Sequence, residues 1–288
     1  MHKSALKPIH DLVVGIKGAG EMATGVAWYL YQANIRSIFM MEIAVPLAVR
    51  RRVSFCEAVH AKRHTVMDIT AIRVDEPGQI RSAWREGKIA VTIDPGWSTI
   101  SIIKPDIVVD AILAKKNLGT TLFEAPLVIG LGPGLNAGSD AHVVIETNRG
   151  HDLGRLITTG SAEKNTGIPG NIAGFTQERV LRAQADGTFE TGMTIGDCVV
   201  AGDGIGQVAG RQVRAKVGGV LRGLLRSGSP VQKGAKLGDI DPRGKKEFCN
   251  TISDKARTIA GSVLQAILVE FNRPGIPNHG DVKPPEYR

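Results

Sequence analysis

The stretch KGAGEMATGV, residues 17–26, puts Gly18, Gly20 and Ala23 in a G-x-G-x-x-A spacing directly after the apolar run LVVGI. In such a turn the first glycine permits the bend and the second lets a pyrophosphate approach the backbone. The small third residue lets helix and strand close up. The helix that Glu21 opens would offer free N–H groups and a positive dipole end to a phosphate. Glu42 closes the next apolar run about 20 residues on, where an acid accepts a hydrogen bond from a ribose hydroxyl. Lys17 stands where a small or apolar residue is usual, so its ammonium either leans over a phosphate or points to solvent. The bland reading of the same turn is a scaffold whose glycines bind nothing.

A second glycine turn, GLGPG (130–134), offers Gly132 and Gly134 either as another phosphate-facing loop or as a sharp bend only. Lys115, Lys116 and Asn117 follow the strand-like DIVVDAI, and Glu146, Arg149, His151, Asp152 and Arg155 follow HVVIET. Polar residues clustered past strand ends can hold an anionic head group or move a proton, and the alternative is a hydrated loop with local ion pairs. Cys56, Cys198 and Cys249 form no CxxC pair, which excludes a structural zinc motif and leaves them as small apolar side chains. No Ser-His-Asp order, HExxH or P-loop lysine occurs. Arg50-Arg51-Arg52 reads as the solvated face of a helix, with one arginine able to reach a nucleotide phosphate.

The elements that must position these residues follow from patterning. LVVGI, SIFMME, IAVTID, DIVVDAI, PLVIGLG and HVVIET are short, β-branched and apolar on both faces, as strands covered by helices are. MATGVAWYLYQAN, PLAVRRRVSFCEAV and GQIRSAWREGK fit helices between them. This rhythm predicts an α/β, Rossmann-like doubly wound parallel sheet over residues 1–147. Residues 148–176, rich in Gly, Asn and Thr, read as a polar connecting segment. In residues 177–242, RAQADGTFETGMTIGDCVVAGDGIGQV (182–208) aligns without a gap on RAKVGGVLRGLLRSGSPVQKGAKLGDI (214–240), an offset of 32 (214 − 182 = 32). Two such β-units must share one core. They resemble an all-β barrel-sandwich (biotinyl/lipoyl-like) domain, although the turn VAGRQV lacks the lysine a carrier modifies. Residues 243–288 predict a C-terminal helix over 253–271, with Ser253 as its cap, packing back on the first domain, and then a loose tail.

Composition narrows the partners. The net charge is +8, but Arg50–Arg52 is the only tight basic run and aromatics are 5%, which disfavours a nucleic-acid platform. The charge suits small anions or an acidic protein. No apolar run reaches the roughly 20 residues of a membrane span, and MHKSALKPIHD has no apolar core, so a cytoplasmic protein is expected.

Together, IKGAGEMATGVAWYL, MEIAVPLAVRRRVSFCEAV, VDAILAKKNLGT, APLVIGLGPGLNAGSDAHVVIETNRGHDLGR and DPRG…TISDKA resemble the selenium-dependent molybdenum hydroxylase accessory (YqeB-like) family. That family is distantly similar to the xanthine dehydrogenase maturation factors. The resemblance implies maturation of a molybdenum hydroxylase, with the apoenzyme as partner and a phosphate-bearing ligand such as molybdenum cofactor or a nucleotide. It supplies no catalytic residues. The glycine fingerprint alone implies an NAD(P)-dependent oxidoreductase instead, and a non-catalytic assembly scaffold, possible as a homo-oligomer, is the third reading.

Overall fold

A computed structural model describes residues 7–164 and 166–273. The N-terminal half supplies β1 (Val13–Lys17), β2 (Ser37–Glu42), β3 (Arg63–Val66), β4 (Ile69–Val74), β5 (Ile89–Ile93), β6 (Ile107–Asp110), β7 (Leu127–Leu131), β8 (Asn136–Ala137), β9 (Val143–Ile145), β10 (Leu156–Ile157) and β11 (Gly160–Ser161). Nine of them form one sheet in the order β10-β9-β7-β6-β1-β2-β5-β4-β3, while β8 and β11 pair separately. The helices are α1 (Glu21–Gln32), α2 (Glu57–Ala61), α3 (Pro77–Arg85), α4 (Ser98–Ile103) and α5 (Asp254–Phe271). Ile38 and Met40 of β2 pack with α1, α2 and α5, whereas Phe39 and Met41 pack with α3 and α4. Burial on both faces is why the strands read as unbroken apolar runs.

α5 begins where its cap allows: the Ser253 hydroxyl accepts the amide of Ala256 at 3.3 Å. It lies along α1 so closely that a Cβ on Gly25 would stand 3.0 Å from the Ala256 Cβ. No helix among the described residues is long and apolar enough to cross a membrane. The expected C-terminal tail lies outside the described residues beyond 273.

The expected doubly wound parallel sheet is corrected. The sheet is mixed, because β3 runs antiparallel to β4 at one edge and β10 antiparallel to β9 at the other. Helices also fail to alternate with strands: the 111–126 link between β6 and β7 holds one short 3-10 turn, Leu122–Glu124. The β3–β4 hairpin escapes sequence reading because its connection, Met67-Asp68, lacks glycine, and Met67 itself takes φ 55°.

The expected barrel-sandwich is corrected as well. β12 (Val180–Arg182), β13 (Gly187–Glu190), β14 (Cys198–Val199), β15 (Gly204–Val208), β16 (Arg211–Arg214), β17 (Gly219–Leu224), β18 (Ser229–Val231) and β19 (Lys236–Asp241) form two separate antiparallel sheets. Their orders are β12-β19-β17-β14 and β16-β15-β13-β18, each with its own free edges. β13 and β17 start 32 residues apart (219 − 187 = 32), as do β15 and β19 (236 − 204 = 32), and these four are the inner strands. Phe189, Leu221, Leu224, Leu237 and Ile240 fill the core between the sheets.

Residues 46–56 do not form the expected helix; only Arg51–Val53 make a 3-10 turn. The segment instead joins the two parts. The Leu224 amide donates to the Val49 carbonyl at 2.8 Å, and Arg51 Nε donates to the Leu224 carbonyl at 2.7 Å. Arg226 reaches back to Glu57 at 2.6 Å.

Candidate functional site

Part of the glycine turn is occupied by the protein itself, although a Cβ added at Gly20 would meet open space. Gly18 sits at φ +86° and its amide donates to the Met41 carbonyl at 2.7 Å. The Ala19 amide, which would face a pyrophosphate, donates to Glu42 Oε2 at 2.8 Å. The other Glu42 oxygen accepts the Ile43 amide at 2.8 Å. The Ala19 carbonyl accepts the Cys56 amide, and Ala19, Ala23 and Cys56 are fully buried. Burial raises the Glu42 carboxyl above its ordinary range despite these two amides. Gly20 caps α1, and Glu21 in its first turn pairs with Arg50 at 3.3 Å. The amide meant for phosphate and the carboxylate meant for ribose thus satisfy each other.

Lys17 is equally occupied. Its side chain is wholly buried, and Nζ donates to Thr120 Oγ1 at 2.8 Å and Glu124 Oε1 at 2.7 Å. Thr120 Oγ1 in turn donates to Asp110 Oδ2 at 2.7 Å, and the Trp97 ring lies 5.3 Å from Nζ. Asn117 holds its own loop, accepting the amides of Gly119 and Thr120 at 2.8 Å and donating to the Thr120 carbonyl. Gly132 and Gly134 face protein, not open space. Added Cβ atoms there would stand 2.5 Å from Thr147 Oγ1 and 2.6 Å from the Ala114 carbonyl oxygen. Lys115, Lys116 and His151 are exposed, and Glu146 is buried beneath the amides of Asn148 and Glu163.

The expectation of molybdenum hydroxylase maturation through a phosphate-bearing cofactor is corrected: the Ala19 amide is taken by Glu42 and the Lys17 ammonium by Glu124, while Gly20 itself faces open space. No cluster of three or more His, Cys, Asp or Glu side chains suited to a metal occurs among the described residues. Burial also pushes the Cys56 thiol well above its ordinary value, which makes it a poor nucleophile.

An open polar space lies where Arg50, β17, the 243–253 segment and the start of α5 meet. A cavity of about 320 Å³ is lined by Arg50, Arg222, Arg243 and Arg257 against one carboxylate, Asp254, with Ser253 at the helix start. Buried aspartates on β19 set the arginine orientations. Asp239 accepts from Arg179 and, at 2.5 and 2.9 Å, from Arg222. Asp241 accepts from Arg243 at 2.7 and 2.9 Å and lies 3.3 Å from Arg222. Burial alone would raise both carboxyls, but the surrounding cations bring both below their ordinary value. Arg149 grips Asp254 through two bonds of 2.6 and 2.8 Å.

Arg50 is one side chain of this group with capacity to spare, as is Arg179, whose Nε also lacks a partner. Arg50 is 5% exposed and donates through Nη2 to the carbonyls of Phe248 and Thr251, yet its Nε has no partner. Burial lowers its pKa, with Glu21 opposing. Lys255 on α5 likewise sits below its ordinary value, through burial and then the Arg149 cation. Of these residues only Arg149 and Arg50 stand out in the sequence, and Arg50 does so as part of an exposed helical face. Arg222, Arg243 and Arg257 carry no local motif that marks a shared pocket. The DPRG and TISDKA stretches contribute Asp241, Arg243, Ser253 and Asp254, and are the signal that was available.

No family model matches the chain. It is 46% identical over 260 residues to the uncharacterized protein YqeB of Escherichia coli (strain K12), covering 90% of this chain and 48% of YqeB. The chain is YqeB-like. It spans about half the length of that relative. Among solved structures, an aspartoacylase family protein from Mesorhizobium loti aligns at TM-score 0.25 with 13% identity, over 80% of this chain and 85% of that one. A succinylglutamate desuccinylase/aspartoacylase from Rhodobacter sphaeroides aligns at 0.25 with 11% identity, over 80% and 84%. The product-bound ectoine utilization protein EutE (DoeB) from Ruegeria pomeroyi aligns at 0.21 with 12% identity, over 74% and 61%. Scores this low settle neither fold nor activity.

Proposed function

We propose that the chain binds a small polycarboxylate in the arginine-lined cavity at the seam between the mixed sheet and the two antiparallel sheets. The observation that carries the reading is the set of four guanidinium groups, from Arg50, Arg222, Arg243 and Arg257, that line the cavity against a single carboxylate, Asp254. Guanidinium groups suit carboxylates, and Asp239 and Asp241 fix Arg222 and Arg243 in place at the cavity by occupying one edge of each. A volume of about 320 Å³ is at the small end of the roughly 300–1,000 Å³ spanned by ligand pockets, which favours a compact anion over a dinucleotide.

The test is calorimetric titration of the full chain with succinate and citrate, with sodium chloride and inorganic phosphate as controls. Saturable heat with a carboxylate is expected. Arg243→Gln, which leaves Asp241 beside Arg222, should weaken it by roughly ten- to a hundredfold, the loss of one charged hydrogen-bond pair. Absence of carboxylate binding, or binding untouched by Arg243→Gln, would overturn the reading.

A further inference from the structure

A second cleft, of about 910 Å³, lies on the α4 face of the mixed sheet, independent of the arginine cavity. Trp97, Ile100, Phe123, Glu124 and Pro126 contribute to its walls. Two features make this surface unusual. Phe123 is 94% exposed, the most exposed large apolar side chain among the described residues. Trp97 caps α4 at φ 60°, ψ 21°, a left-handed conformation that a bulky residue adopts at an energetic cost. Asp94 fixes that conformation by accepting the Thr99 amide at 2.7 Å and the Ser98 hydroxyl at 3.1 Å. The result holds the indole over the buried Lys17 ammonium and presents it to the cleft.

The charges beneath the indole do not balance. One ammonium, Lys17, faces two carboxylates, Glu124 directly and Asp110 through the Thr120 hydroxyl. Glu124 gives Oε1 to Lys17 and to the Thr121 amide, while its Oε2 is buried with no donor. Around the cleft itself, Glu124 and Asp106 stand against one cation, Lys104, and Asp106 is already committed to Lys7 at 2.6 Å.

From this geometry we infer that the cleft is a binding site for a small organic ammonium ion. Its N–H groups would donate to Glu124 Oε2, and its alkyl part would lie between the rings of Trp97 and Phe123. A carboxylate oxygen lacking a donor and aromatic rings at a cleft are the two groups that recognise such a cation. A carboxylate ligand is disfavoured by the same residues, since the orphaned oxygen would repel it.

The chain contains three tryptophans, so the indole N–H resonance of Trp97 can be assigned with a Trp97→Phe variant. Titration of the full chain with n-butylammonium chloride should shift that resonance saturably, while sodium chloride and sodium butyrate leave it in place. Glu124→Gln and Phe123→Ala should each raise the half-saturation concentration by about tenfold or more, the loss of one charge-assisted or cation–π contact. If Glu124→Gln does not fold, Phe123→Ala decides alone, because an exposed ring contributes little to stability. No saturable shift, or a shift unchanged by Phe123→Ala, would overturn the site.

Discussion

The carboxylate of Glu42 accepts the backbone amide of Ala19, 23 residues before it in the chain, at 2.8 Å. That bond turns the glycine turn from a ligand-receiving loop into a closed internal contact. Glu42→Ala would strip the buried amide of Ala19 of its acceptor, and the exposed amide of Ile43 as well. The buried loss costs about 1–3 kcal/mol, so a fall in the urea midpoint is expected. Calorimetry with NAD and NADP should show no binding to the unaltered chain. Tight binding of either would sink the self-plugged turn.

Lys17→Met removes the ammonium between Glu124 and Thr120 and leaves a buried carboxylate uncompensated. Destabilisation of about 3–5 kcal/mol is expected, as for other broken buried pairs. The double variant Lys17→Met/Glu124→Gln should recover part of it, because an unpaired buried charge is worse than none. Additive losses in urea denaturation would contradict a direct pairing.

Gly25 lies inside α1, where glycine-to-alanine changes ordinarily gain about 1 kcal/mol. Here the sign should reverse. The new methyl would meet Ala256 Cβ at 3.0 Å and its carbonyl oxygen at 3.2 Å, so α1 and α5 must part. A loss of about 1–3 kcal/mol is expected for this overpacking. A thermal midpoint at or above that of the parent chain would show that the helices yield easily.

Acid should unfold the protein through Asp239, Asp241 and Asp254, all held below their ordinary value of 3.8. A carboxylate depressed in the folded state stabilises it above the unfolded pKa, and that stability drains away as pH falls through the folded value. Stability should therefore hold steady down to about pH 4 and decline below it. Glu42, raised by burial, acts in the opposite direction and gives back a little as it takes its proton. Arg149→Gln releases Asp254 and should flatten part of the acid slope; an unchanged slope would mean the pair is inert.

The parallel strands of the mixed sheet and the α5 helix were legible because each carries a local periodic signal. β1, β2, β5, β6 and β7 are apolar runs covered on both sides, and Ser253 marks where α5 starts. The antiparallel edges were not legible. A Met67-Asp68 turn gives no glycine cue, and β10 is two residues long. The arginine cavity was hidden for a different reason. Arg50 touches Phe248 and Thr251 from 198 and 201 residues away, a relationship no window of sequence contains. The glycine spacing was read correctly as a turn between strand and helix, but spacing cannot reveal that Glu42 would reach into it.

The segment that carries Val49 and Arg51 has a mechanical consequence. Its bonds to Leu224, with the Arg226–Glu57 pair beside them, rivet the repeat-built sheets to the larger sheet independently of the 162–179 link. A protease nick in that link would leave two fragments that still travel together on a sizing column. The connecting peptide is thus a tether of convenience.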